Sequence, residues 1–230
     1  MAYFTTGYTD FFKGLAANNH KEWFHDHKKQ YEQQVKGPFK AFIGDLIAAI
    51  QQRYDKDLDL FPKEAIFRIN RDIRFSKDKT PYKLHRSAVI SRGGRKNKQY
   101  PGFYIQLGVD ENWLGGGAYW LDKDNLRAVR QYIMDHPKQV QQLLTNPALL
   151  EVYGGIQGDK NKRLPKEFKA AQETLPIIAN KQFYFMKTYE DDESIILKED
   201  LLEWALEHYE IGLQWNTFLI EALHSQPEEA

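Results

Sequence analysis

The chain has 230 residues, no cysteine, and a formal charge of zero from 32 basic and 32 acidic residues. A hydrophobic share of 42% with 14% aromatics belongs to a globular chain and excludes a disordered one. Without cysteine there can be no disulfide, thiolate zinc site or cysteine nucleophile, and no apolar run approaches the length of a membrane span.

The first elements read as helices. Thr9 is placed to cap a short helix with Phe11, Phe12 and Leu15 on its apolar face, ended by Asn18-Asn19. Asn19 with Glu22 three residues on resembles a capping box, opening a helix whose stripe is Trp23, His27, Tyr31 and Val35. Gly37-Pro38 should break it, and Pro38 suits the first turn of a further helix with Phe39, Phe42, Ile43, Leu46, Ile47 and Ile50 buried. The period then changes from helical to alternating. Ile66–Asn70, Arg86–Ser91, Gly102–Val109 and Asn112–Tyr119 read as strands, the last two joined by a hairpin turn. Asp122 or Asp124 caps a helix carrying Leu126, Val129, Ile133 and Met134, and Pro137 and Pro147 begin shorter helical pieces. Gln182–Thr188 reads as one more strand, and Asp200–Leu223 as a helix open to interruption at Gly212. Helices, then short strands, then helices predict an α+β fold with a mainly antiparallel central sheet flanked by N-terminal and C-terminal helices. No linker composition or repeat divides the chain, so residues 1–224 are expected to form a single domain with a frayed tail at 225–230. Met1–Thr6 lacks the basic start and apolar run of a secretory signal, and the expected location is cytoplasmic, with no membrane partner.

The zero net charge conceals an asymmetry. From Lys63 to Tyr100 there are twelve Lys/Arg against three acids, a balance of +9, while twelve acids face the single base Lys198 after Tyr189. The basic block either meets an anionic ligand or pairs with acids of its own chain.

Within that block, Arg68–Lys83 differs from ordinary loop sequence. Arginine offers a planar fork that grips carboxylate or phosphate through two hydrogen bonds, and Arg68, Arg71 and Arg74 recur within seven residues. These three are the candidate anion ligands, with Lys77, Lys79 and Lys83 raising the local potential and Tyr82 hydrogen-bonding or stacking. Asp72 and Asp78 could orient the arginines, and the competing reading is that the same charges form only a structural salt-bridge lattice. Gly116 and Tyr119, from the glycine run Gly115–Gly117, are candidate pocket walls, and Lys162 and Arg163 a candidate closing loop.

The string Arg68–Lys83 closely resembles the hallmark of the family catalogued as domain of unknown function number 2461. Asn18–Phe24 is similar to that family's opening motif, and Gly115–Tyr119 and Lys162–Phe168 resemble later blocks. The chain departs from the family pattern at Leu121, where a proline commonly precedes the next helix. The resemblance extends over about residues 4–223 and implies a domain without an established activity.

Other motifs fall away. Asp55–Asp59 begins like a calcium loop, but Leu60 and Ile66 stand where glycine and glutamate are required. His25 and His27 diverge on a helix, so no metal is expected there, and Gly115–Gly117 lacks the spacing of either nucleotide-binding glycine motif. Asp72 with His85 could serve acid–base chemistry if they met. The expected function is binding of a phosphate- or carboxylate-bearing small molecule, with no cofactor and no reaction assigned. Nucleic acid is the less favoured partner, suggested by Phe75, Tyr82, Tyr100, Phe103 and Tyr104 interleaved with the basic residues, and a protein-interaction module is the third possibility.

Overall fold

A computed structural model describes residues 2–190 and 192–225; most of the tail expected to fray, 226–230, lies outside them. Helix α1 (Thr6–Ala17) buries Phe11, Phe12 and Leu15 as its period predicts, together with Tyr8. Its cap is Thr5 and not Thr9. Thr5 is extended and its side chain accepts from the Gly7 N–H, whereas Thr9 lies within the helix and donates to the Thr6 carbonyl at 3.0 Å. Helix α2 (Lys21–Asp26) is capped by His20, whose Nδ1 accepts from the Trp23 N–H at 3.4 Å.

The expected break at Gly37-Pro38 does not occur. After α3 (Lys28–Gln30), a π-helical turn (Tyr31–Lys36) runs directly into α4 (Gly37–Arg53). The Gly37 N–H reaches back five residues to the Glu32 carbonyl, and Pro38 sits in the first turn, where a missing donor costs least. Phe39, Phe42, Ile43, Leu46, Ile47 and Ile50 are all buried. Trp23 is only half-buried, its ring stacked on His27 at 3.9 Å between centroids.

A short helix α5 (Pro62–Ala65) leads to the sheet. Strands β1 (His85–Ile90), β2 (Gly102–Gly108), β3 (Glu111–Ala118) and β4 (Phe183–Glu190) form a four-stranded antiparallel sheet in the order β1-β2-β3-β4. Phe103, Ile105 and Leu107 alternate along β2 and are fully buried, as their period of two requires. Ile66–Asn70, expected as a strand, is attached only by isolated bridges between Ile66 and Ala88 and between Asn70 and Tyr82.

Asp122 caps α6 (Lys123–Asp135), and α7 (Pro137–Leu144) and α8 (Pro147–Tyr153) each begin on the proline seen in the sequence. The last helix, α9 (Leu201–His224), passes Gly212 without interruption. A Cβ at Gly212 would collide with the Phe185 ring, so this glycine serves packing and not flexibility. No helix among the described residues is long and apolar enough to cross a membrane.

The described residues group into two compact units. The first takes in those of Met1–Arg95, Tyr104–Leu114 and Thr188–Glu207; the second takes in those of Lys96–Phe103, Gly115–Lys187 and His208–Ala230. The first has an aromatic centre of Phe4, Tyr8, Phe11, Phe12, Phe39 and Phe42. In the second, Val129 and Ile133 of α6 pack with Phe183 and Phe185 of β4 and with Trp215 and Phe218 of α9. Burying such rings is the main driving term for each unit, at roughly 25 cal/mol per Å² of apolar surface.

Candidate functional site

The basic segment lies within the first unit and its backbone is a narrow, irregular hairpin. Phe67 N–H donates to Ser87, Lys83 N–H to Ile69 and Arg71 N–H to Pro81, each at 2.9 Å. Asn19 clamps the hairpin from the helical side. Its amide nitrogen donates to the Tyr82 carbonyl at 3.0 Å, and its oxygen accepts from the Tyr82 N–H at 3.1 Å. This is why Asn19 is not the cap of α2. Tyr82 is buried with its ring stacked on Phe24, centroids 4.1 Å apart, so it is a wall of the unit and not a free stacking platform.

Two of the three candidate arginines are already engaged. Arg71 donates from Nη1 to both Asp78 and Thr80. Asp78 also accepts from the Thr80 N–H at 2.9 Å and from its hydroxyl at 3.0 Å; the backbone bond first and Arg71 next hold its carboxyl down at about 2. Arg74 makes a two-pronged grip on Asp72, Nε to Oδ1 at 3.0 Å and Nη2 to Oδ2 at 2.8 Å, which likewise lowers Asp72 to about 2. Lys79 donates to the Ile73 carbonyl at 2.9 Å. Lys77 is exposed without a partner among the described residues, and Phe75 stands 95% exposed with the Arg74 guanidinium over its ring.

The other cations of the segment are differently placed. Arg68 is exposed and makes no ion pair with a described residue. Lys83 is half-buried, its ammonium 5.4 Å from the Phe67 ring centroid; burial foremost, then Arg86 and Arg68, lower its pKa. Arg86, six residues past the last of the candidate arginines' loop partners at Thr80, was not among the candidates. It is only 6% exposed, lies over the Phe39 ring at 5.6 Å, has no carboxylate partner among the described residues, and leaves Nε without an acceptor. A buried guanidinium without a counter-charge is costly, so this one calls for an explanation. His85 beside it is pushed down to about 4 by burial, then by Lys83 and Arg86, and is neutral at neutral pH.

A polar row continues along the sheet from these groups. The Tyr104 hydroxyl donates to Gln106 Oε1 at 2.8 Å, and Gln106 Nε2 donates to Glu111 Oε1 at 3.2 Å. Ser87 hydrogen-bonds to Tyr104, whose hydroxyl is raised mainly by burial. The Tyr104 ring lies 6.3 Å from that of Phe67. The signal available in the sequence was polar residues at alternate strand positions, His85 and Ser87, Tyr104 and Gln106, but a half-wet sheet face writes the same pattern.

The remaining candidates lie in the second unit. Gly115, Gly116 and Gly117 are crowded by protein: a Cβ on Gly116 would meet the Gly102 carbonyl and the Phe185 ring at 2.7 Å. Gly117 has φ +103, a conformation suited to glycine. Tyr119 is exposed beside Tyr184, and Lys162 and Arg163 are exposed. Among the described residues no group of three His, Asp or Glu is placed to hold a metal ion. The family model described as conserved hypothetical protein (DUF2461) matches residues 7–218. The chain belongs to that family. The string Arg68–Lys83, which resembles the family's hallmark, is the hairpin just described, and Asn18–Phe24 supplies its clamp and the stacked ring. No curated protein and no solved structure matches the chain.

Proposed function

We propose that the first unit binds a phosphate- or carboxylate-bearing small molecule at Arg68, Lys83 and Arg86. The observation that carries this reading is the absence of any carboxylate ion-paired with these three cations among the described residues, although Lys83 lies in the field of both arginines. Their mutual repulsion is unfavourable in the empty protein and becomes favourable when an anion arrives. Arg71 and Arg74, by contrast, have their own aspartates and shape the loop. A base-stacking surface for nucleic acid receives less support, because Phe103 is fully buried, Tyr82 is stacked inward and Tyr104 is tied to Gln106.

The test is a set of thermal melts in phosphate and in chloride at matched ionic strength. Wild type should gain stability in phosphate by mass action, while Arg68→Gln and Lys83→Met should lose most of that gain. Arg74→Gln should keep it. Equal melting temperatures in the two salts, or a gain that survives both Arg68→Gln and Lys83→Met, would remove the site.

A further inference from the structure

We infer that the molecule held by the anion site is a phosphorylated or carboxylated sugar, its hydroxylated ring lying on the sheet face beside the cations. This rests on the anion site proposed above and names its ligand class. The face is defined by the strand period. Phe103, Ile105 and Leu107 are buried in the core, so Tyr104 and Gln106 stand on the opposite face of β2. Their hydrogen bonds carry that face to the neighbouring strands, through Ser87 to β1 and through Glu111 to β3. Trp113, two residues beyond Glu111, shares it. Ser87 and Gln106 are 2% and 3% exposed, whereas Phe67, Tyr104, Glu111 and Trp113 are partly exposed. A buried polar floor inside a partly exposed rim is a depression in the sheet face.

The depression adjoins the cations. The Lys83 ammonium lies 5.4 Å from the Phe67 ring centroid, a cation–π contact that favours its charged form, and the Phe67 ring lies 6.3 Å from that of Tyr104. An acid group held by Lys83 and Arg68 therefore places the rest of its molecule over the floor. The chemistry there is mixed. Gln106 accepts from Tyr104 at 2.8 Å and gives one amide N–H to Glu111 at 3.2 Å. Its second N–H has no acceptor, and Glu111 no cation, among the described residues. The indole N–H of Trp113 is likewise buried without an acceptor. Donors beside a carboxylate match hydroxyl groups, each of which both donates and accepts. An ammonium would satisfy Glu111 and leave the N–H donors unmet. Phe67, Tyr104 and Trp113 add aromatic surface at the rim, which suits the C–H face of a sugar ring.

The test titrates the full chain by isothermal calorimetry at matched ionic strength, with glucose 6-phosphate against inorganic phosphate and with glucuronate against acetate. The two pairs separate phosphate from carboxylate as the acid group. In one pair or both, the sugar should bind about tenfold tighter than the bare anion. Tyr104→Phe and Glu111→Ala should each reduce that preference by about three- to tenfold and leave affinity for the bare anion unchanged. The preference is a ratio within one variant, so a loss of stability in either cancels. A further ligand, 2-aminoethyl phosphate, puts an amine in place of the hydroxyls. Binding as tight as that of glucose 6-phosphate would overturn the sugar, and so would a preference that survives both variants. If the bare anions bind and Arg68→Gln weakens them, but neither sugar binds more tightly, the inference is overturned and the anion site stands. If none of these anions binds, both fall.

Discussion

Arg71 and Arg74 on the hairpin loop, and Arg68, Lys83 and Arg86 around its base, are the same kinds of side chain in one short stretch, yet their surroundings are opposite. In the loop each arginine has an aspartate within hydrogen-bond reach, and both aspartates are held near 2. At the base the cations face one another, a lysine and a histidine both have lowered pKa values, and a guanidinium nitrogen is buried without an acceptor. The contrast teaches that arginine density alone does not mark a site. A paired arginine has spent its fork on the fold, and only an unpaired one retains binding capacity.

The largest expected effect tests the base. His85 is depressed from its ordinary 6.5 to about 4, so between those values the unfolded chain binds a proton that the folded one does not. Stability from this group is full above the unfolded value and falls as the pH drops through that window. Acidification from pH 7 to pH 4 should cost about 3 kcal/mol through His85 alone. Urea unfolding of wild type against His85→Gln over that range isolates the contribution; parallel curves would mean that His85 is not held neutral.

Next is the clamp that the two regions share. Asn19→Ala removes both bonds to the Tyr82 backbone and should destabilise by about 1–3 kcal/mol, the cost of leaving partly buried amide groups unpaired. Denaturant midpoints measure it. A change near zero would show that the Phe24 stack alone positions the hairpin.

Arg71→Gln should have a smaller effect, lowering the melting temperature because Asp78 and Thr80 lose their brace. Asp78 should then titrate higher than about 2 but still below an ordinary carboxylate, since its bonds from Thr80 remain. Side-chain carbon shifts followed by NMR against pH read this directly, and an unmoved Asp78 would show that Arg71 contributes nothing to it. In the folded protein these carboxylates stay charged above their own values, so the brace weakens only as pH falls below the ordinary carboxylate range.

The smallest effect is the most telling. Arg68→Gln should change stability by less than about 0.5 kcal/mol, or raise it slightly, as expected for an exposed cation repelled by its neighbours. A clear loss of stability in calorimetry would assign Arg68 to the same structural role as Arg71 and erase the difference between the regions.

Sequence alone was sufficient for the fold class and for most of the core. Burial follows period, and the stripe Phe39–Ile50 and the alternation Phe103, Ile105, Leu107 are each local in the chain. It was sufficient also for the family, because Arg68–Lys83 and Asn18–Phe24 are contiguous strings. Pairing is not local. Nothing near Asn19 in the chain says that it bonds Tyr82 rather than capping α2. Nor does anything near Arg86 say that it ends up against Phe39 without a carboxylate while Arg71 finds Asp78. A side chain's residue type sets what it can bind, but its charge state and remaining capacity depend on burial and on neighbours brought from elsewhere. Tertiary structure alone therefore decided which arginines are braces and which cations are left for a ligand.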